Sequence, residues 1–272
     1  MGTRSSNLER IGVKIKMEKI TAIIPAGNEE ENIKDAIESV LWADEILVVV
    51  DEGSKDKTFE IASTFGGKVK VEKHEYIYSA LQKNWAIPKA KYDWIFLLDC
   101  DERPDKRLIE SIKKVLNEKQ DFDAYEVKRR NHFLDKILKF GGLSNDKVVR
   151  LFKKNLRYED KRVHAEIVGY KKLGQLKGYL THHTFKDWDS YLQKLNRYSI
   201  WGAEQALIKN QSAGIFNILL RPLHRFLKQY FIRLGFLDGI PGAINAALGA
   251  YSVFLKYSIL YHLKRKAEKK NV

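Results

Sequence analysis

Cysteine is all but missing from this chain: Cys100 is alone among 272 residues. A single thiol excludes an internal disulfide framework and any cysteine-built zinc site, and it fits a reducing compartment. Acid is scarce as well. Thirty-five Asp and Glu stand against 49 Lys and Arg, a formal net charge of +14, which calls for an anionic partner: nucleic acid, phospholipid or a phosphorylated substrate. The first 17 residues hold no apolar run, so no secretory signal is expected, and residues 1–17 read as an extension. Met1 to Ser6 match the myristoylation pattern, a loosely specified one. There is no internal repeat and no low-complexity tract. What is present, 44% hydrophobic and 31% charged residues, suits a globular domain with an appendage.

The chain is organised around Trp94 to Glu102, five apolar residues running into Asp99, Cys100, Asp101 and Glu102. An unbroken apolar run reads as a strand buried on both faces. Along an extended chain Asp99 and Asp101 share one side, where two carboxylates repel unless a cation joins them. Mg²⁺ is bound in this way, by one or two carboxylates plus substrate phosphates. The same acids also suit a solvated turn before a helix with Pro104 in its first turn.

Two further strands are expected earlier, from Ile20 to Pro25 and from Ile46 to Val50, the latter ending on Asp51. Asn28 with Glu31 resembles a capping box for a helix through Ile33, Ile37 and Val40, with Glu29 and Glu30 in its first turn. Strands alternating with helices imply a mainly parallel sheet flanked by helices. Ligands bind such sheets beyond the carboxyl ends of the strands, where Asp51 and Asp99/Asp101 fall. After residue 120 come strands at Asp123 to Arg130 and Val148 to Phe152, and then a segment rich in proton donors and acceptors, Arg157 to Glu166. The adjacent His182 and His183 match no zinc spacing and read as structural.

Residues 221–272 hold ten Lys or Arg against two acids, Asp238 and Glu268, and Gly239 to Leu255 is a run of 17 uncharged residues. Basic positions interleaved with aliphatic and aromatic ones are what an interfacial helix needs at an anionic leaflet. The run is short for a full span.

Residues 24–33, 48–58 and 97–102 resemble, in order and spacing, the signatures of family 2 glycosyltransferases with the GT-A fold. Gln82 to Ala86, Val163 to Glu166 and Phe236 to Gly242 look like the lipopolysaccharide-core β-1,4-glucosyltransferase subgroup. Ala26 and Cys100 depart from the usual pattern without removing a ligand. The resemblance implies a Rossmann-like α/β domain over residues 18–200 and a helical, membrane-associating region over residues 201–272. It implies that Pro25, Asn28, Glu29, Asp51, Gly53, Ser54 and Lys83 hold the nucleotide-sugar. Asp99 would contact ribose or metal, and Asp101 would bind Mg²⁺ or Mn²⁺. Inversion in one displacement needs a carboxylate base, with Glu166 first and Asp160 second. The expected partners are a UDP-sugar donor with glucose as the hexose, a lipid-linked glycan acceptor such as lipopolysaccharide core, and an anionic membrane surface. The place implied is the cytoplasmic face of the inner membrane, peripheral or monotopic. The rivals are a polyprenyl-phosphate sugar transferase and a basic nucleic-acid-binding protein; the latter is disfavoured because the charge lies among apolar runs, not beside stacking aromatics on a sheet.

Overall fold

The computed structural model describes residues 17–118, 121–134, 136–143 and 146–270, so the expected extension and its myristoylation pattern lie almost wholly outside the described residues. The N-terminal half alternates strand and helix: β1 (Ile20–Ala26), α1 (Ile33–Ser39), β2 (Glu45–Asp51), α2 (Thr58–Ser63), β3 (Val69–His74), α3 (Ser79–Ala86) and β4 (Trp94–Leu97). These four strands are parallel, in the spatial order β3-β2-β1-β4. Their unbroken apolar runs are explained by burial on both faces. Ile46, Val48 and Val50 of β2 enter one core with α1 and α2, whereas Leu47 and Val49 enter a second core beneath α3.

The sheet then becomes mixed. β5 (Glu102–Pro104) and α4 (Lys106–Asn117) are followed by β6 (Ala124–Phe133), β7 (Lys136–Ile137), β8 (Lys147–Lys153), β9 (Arg157–Tyr158), β10 (Ile167–Val168) and β11 (Leu173–His183). β8 lies antiparallel between β4 and β6, and β11 runs parallel to β6 with β5 on its outer edge. A mainly parallel sheet therefore holds only for the first four strands. Two local expectations are corrected. Pro104 ends β5, and Asp105 caps α4 by accepting from the Leu108 amide at 2.8 Å. Asn28 caps no helix: it sits at φ 54°, and α1 begins five residues later, after Asn32.

The C-terminal third is helical: α5 (Trp188–Ile208), α6 (Ile215–Leu227) and α7 (Ile240–Lys270), with a π-helical turn and a 3₁₀ turn between α6 and α7. Helix α5 runs unbroken through residues 200 and 201, the expected domain boundary. Ala203 and Ala206 pack against Tyr257 and Leu260 in a small third core. The Phe236–Gly242 segment is tied to the sheet. Asp238, 3% exposed, accepts from the backbone amides of Lys139 and Phe140 at 3.0 and 2.9 Å, which satisfies its buried charge. Gly242 is required there, since a Cβ would lie 2.1 Å from the Gly235 carbonyl oxygen.

Candidate active site

The carboxyl ends of β1, β2 and β4 converge, and the loops after β1 and β2 are stitched together. Asn28 donates its amide to Ser54 Oγ at 3.1 Å, and its Oδ1 accepts from the Lys55 amide at 2.9 Å. The Glu29 amide donates to Thr58 Oγ1 at 2.7 Å. Asp51 Oδ1 accepts from the amides of Gly53 and Tyr76 at 3.0 and 3.1 Å. The structure thus brings together Asn28, Glu29, Asp51, Gly53 and Ser54. Pro25 joins this rim to the β4 turn, its carbonyl facing Cys100 Sγ at 3.5 Å. Desolvation pushes the Glu29 carboxyl up despite the hydrogen bond from Asn32.

Asp99 and Asp101 form their ion pairs with different residues. The extended chain ends at Leu97, so side-chain alternation does not carry through the turn. Asp99 Oδ1 meets Lys83 Nζ at 2.8 Å and Asp99 Oδ2 meets Arg150 Nη2 at 2.5 Å. Desolvation alone would raise this carboxyl, but Arg150 and Lys83 outweigh it and hold Asp99 well below the usual carboxylate range. Asp101 Oδ2 instead faces His182 Nε2 at 3.3 Å and Lys194 Nζ at 3.9 Å. Burial would raise Asp101 too, and the His182 bond reverses it.

Arg150 escaped the sequence reading. It is the extra residue of a β-bulge in β8, between the pairs Leu151–Tyr125 and Val149–Glu126, and a bulge re-aims a side chain. It reaches Asp99 and, at 2.6 Å, the fully buried Glu102, which also lies 3.6 Å from Arg129. A single charge inside the apolar run Val148 to Phe152 was the available signal. Breaking a buried pair by removing one partner costs about 3–5 kcal/mol. Arg150→Met is therefore expected to lower the midpoint of thermal unfolding by about 10 °C, read by circular dichroism. A shift under about 2 °C shows that the network does not hold the strand ends.

Glu166 and Asp160 lie in the loop between β9 and β10, and both are exposed. The loop springs from beside Lys83: Asn84 Nδ2 donates to the Tyr158 carbonyl at 2.9 Å, and its Oδ1 accepts from the Tyr158 amide at 2.8 Å. The Tyr78 hydroxyl donates to Asp160. The Glu166 carbonyl accepts from the Glu159 amide at 2.9 Å.

The donor set fits a hard divalent ion. Among the described residues no group of three or more His, Cys, Asp and Glu gathers as a metal cage. The Asp101 carboxylate is the kind of ligand by which Mg²⁺ is held together with substrate phosphates, and the His182 imidazole beside it would add a nitrogen, leaving the remaining positions to diphosphate oxygens and water. Asp99, with both oxygens on cations, is not presented as a second ligand.

A parallel half-sheet with acid-bearing strand ends, continued by a mixed half, is the architecture of the GT-A glycosyltransferases. It superposes on the Pyrobaculum calidifontis mannosyltransferase solved with GDP-Man and Mn²⁺, with a TM-score of 0.51 and 15% identity, covering 93% of this chain and 88% of that one. The chain belongs to glycosyl transferase family 2, whose family model matches residues 21–180, and it is a glycosyltransferase. It is similar to an uncharacterized glycosyltransferase of Rickettsia typhi, 28% identical over 265 residues, covering 92% of this chain and 89% of the relative. It is similar also to the lipopolysaccharide core biosynthesis glycosyltransferase LpsC of Rhizobium meliloti, 27% identical over 259 residues, covering 93% and 96%.

Proposed function

We propose that this glycosyltransferase moves a hexose, with inversion, from a nucleoside-diphosphate donor to a lipid-linked glycan at a membrane surface. The observation that carries the reading is the pairing of Asp101 with His182 beside the Lys83–Asp99–Arg150 triad at the strand ends. The stitched loops with Asn28, Glu29, Asp51, Gly53 and Ser54 form the rim for base and ribose, and Pro25 sets its floor. Asp99 keeps Lys83 and Arg150 charged and in place, so their positive field faces the leaving diphosphate. Asp101 and His182 would hold Mg²⁺ or Mn²⁺, which when bound neutralises charge on the departing nucleoside diphosphate. Glu166, on the exposed side of the loop rooted at Lys83, takes the proton from the acceptor hydroxyl, with Asp160 as the alternative. UDP-glucose is the expected donor, and similarity to an enzyme named for lipopolysaccharide core biosynthesis supports a glycan acceptor.

The test is a donor screen by nucleoside-diphosphate release, with and without chelator. Release from a nucleoside-diphosphate hexose that stops with chelator and returns with Mn²⁺ supports the reading. A chelator-insensitive rate removes the metal from it. A product that is an acid-labile glycosyl phosphate points to the polyprenyl-phosphate transferase.

The membrane part rests on α6. None of its residues is buried. Phe216, Leu219, Leu220 and Leu223 are 52–73% exposed, and the surface continues through Ile232, 73% exposed, to Ile240, 76% exposed. Arg221, Arg225, Lys228 and Arg233 border it, which matches an anionic leaflet. Helix α7 is long and apolar enough to cross a bilayer, but its Ala246, Tyr257 and Leu260 are buried against the protein, which supports lying on the membrane. Each large apolar side chain is worth about 1.5–3 kcal/mol when removed from water. Phe216→Glu with Leu220→Glu is thus expected to weaken binding to vesicles containing anionic phospholipid by at least about 10²-fold in sedimentation at physiological salt. Unchanged sedimentation sinks the α6 assignment, and retention through alkaline carbonate makes α7 a span.

A further inference from the structure

Asn131 of β6, 4% exposed, stands between a carboxylate and an imidazole. Its Nδ2 donates to Asp146 Oδ2 at 2.9 Å, and its Oδ1 lies 2.7 Å from His182 Nδ1. The ring and the amide meet because His182 and Asn131 are register partners on the parallel strands β11 and β6. Asp146 is fixed in turn by Arg129, whose Nε and Nη2 grip its two oxygens at 2.9 and 3.0 Å.

This relay fixes one of the two ring positions. An ionised carboxylate only accepts, so the amide nitrogen of Asn131 faces Asp146 and the amide oxygen faces the ring. An amide oxygen only accepts, so His182 Nδ1 carries a proton. The other ring nitrogen, Nε2, points at Asp101 Oδ2 over 3.3 Å. A proton on that nitrogen joins the ring to the carboxylate, the bond that lowers Asp101, and a metal ion taking the proton's place would meet lone pairs from both atoms. Outer partners of this kind fix the tautomer and orientation of metal-binding histidines.

We propose that Asn131, held by Asp146 and Arg129, is a positioning residue that sets the His182 tautomer, so that His182 Nε2 and Asp101 together present a two-atom cation site. The proposal rests on the metal reading of Asp101 above, and it adds residues that no motif points to. The side chain of Asn131 is committed to Asp146 and to the His182 ring, and it acts through the ring.

The first measurement needs no variant. Nitrogen-15 NMR of the histidine rings in the full chain with Mg²⁺ and UDP, with His182 assigned by its loss in His182→Gln, is expected to show the proton on Nδ1 and none on Nε2. The second is Mn²⁺ binding in the presence of UDP, read from the spin resonance of free Mn²⁺. Asn131→Leu, close to Asn in size, is expected to lose about 10–100-fold in Mn²⁺ affinity, and His182→Gln at least as much. A proton on Nε2 in the parent overturns the proposal, as does protonation of both nitrogens with the metal present. Asn131→Leu binding Mn²⁺ within about twofold of the parent, while His182→Gln is impaired, overturns it as well. If His182→Gln itself binds Mn²⁺ as the parent does, His182 is no ligand, the cation site falls, and the ring signals still decide whether Asn131 sets the tautomer.

Discussion

Asp101→Ala is expected to cost about 10³-fold or more in transfer rate, the scale of removing one preorganised group from a site of developing charge. The two neighbouring acids of the turn are committed elsewhere, Glu102 to Arg150 and Asp99 to Lys83 and Arg150. Stability should barely move. Loss of the Asp101 carboxylate gives up the His182 and Lys194 contacts at 3.3 and 3.9 Å, and it also removes a desolvated charge that Asp99 repels. The combination to look for is a normal thermal midpoint, weakened Mn²⁺ binding with UDP and near-silent transfer. An active Asp101→Ala enzyme would remove Asp101 from the metal. A large fall in the thermal midpoint would make it a structural residue.

Glu166→Gln keeps the size and the hydrogen-bonding reach of the side chain but cannot take a proton. It is expected to bind UDP as the parent does and to lose about 10²–10⁴ in transfer rate, the usual worth of general-base catalysis. Lys83, Asp99 and Arg150 are paired with one another, and Glu166 is exposed on the loop rooted beside Lys83, so donor binding and proton transfer are expected to separate. Asp160→Asn changes only an exposed partner of Tyr78 and should cost less than about tenfold. A dead Asp160→Asn beside an active Glu166→Gln transfers the base to Asp160. If both remain active, the base lies elsewhere. Binding by calorimetry and turnover under donor saturation distinguish these cases.

Much of the donor half was legible because its information is local in the chain. Three apolar runs, each ending at or near an acid, specify buried parallel strands and place Asp51 and Asp99 at their carboxyl ends. The structure keeps that arrangement. The pairing of the loops around Asn28 and Ser54 was legible only as two motifs that belong together. Their contact, with Asn28 bridging across to Lys55 in place of capping α1, needed the fold.

The chemistry available at each strand end is written in the local order of residues, since hydrophobic period and the position of charge within a run depend on near neighbours. Which charge meets which is settled by the fold. A bulge of one residue in β8 turns Arg150 onto Asp99 and Glu102. The turn after Leu97 sends Asp101 to His182, 81 positions away, and β6–β11 register puts Asn131 against the same ring, 51 positions from it. These pairings depend on strand register and turn geometry over long separations, where a shift of one residue reverses the face that a side chain occupies. No periodicity within a single segment encodes them.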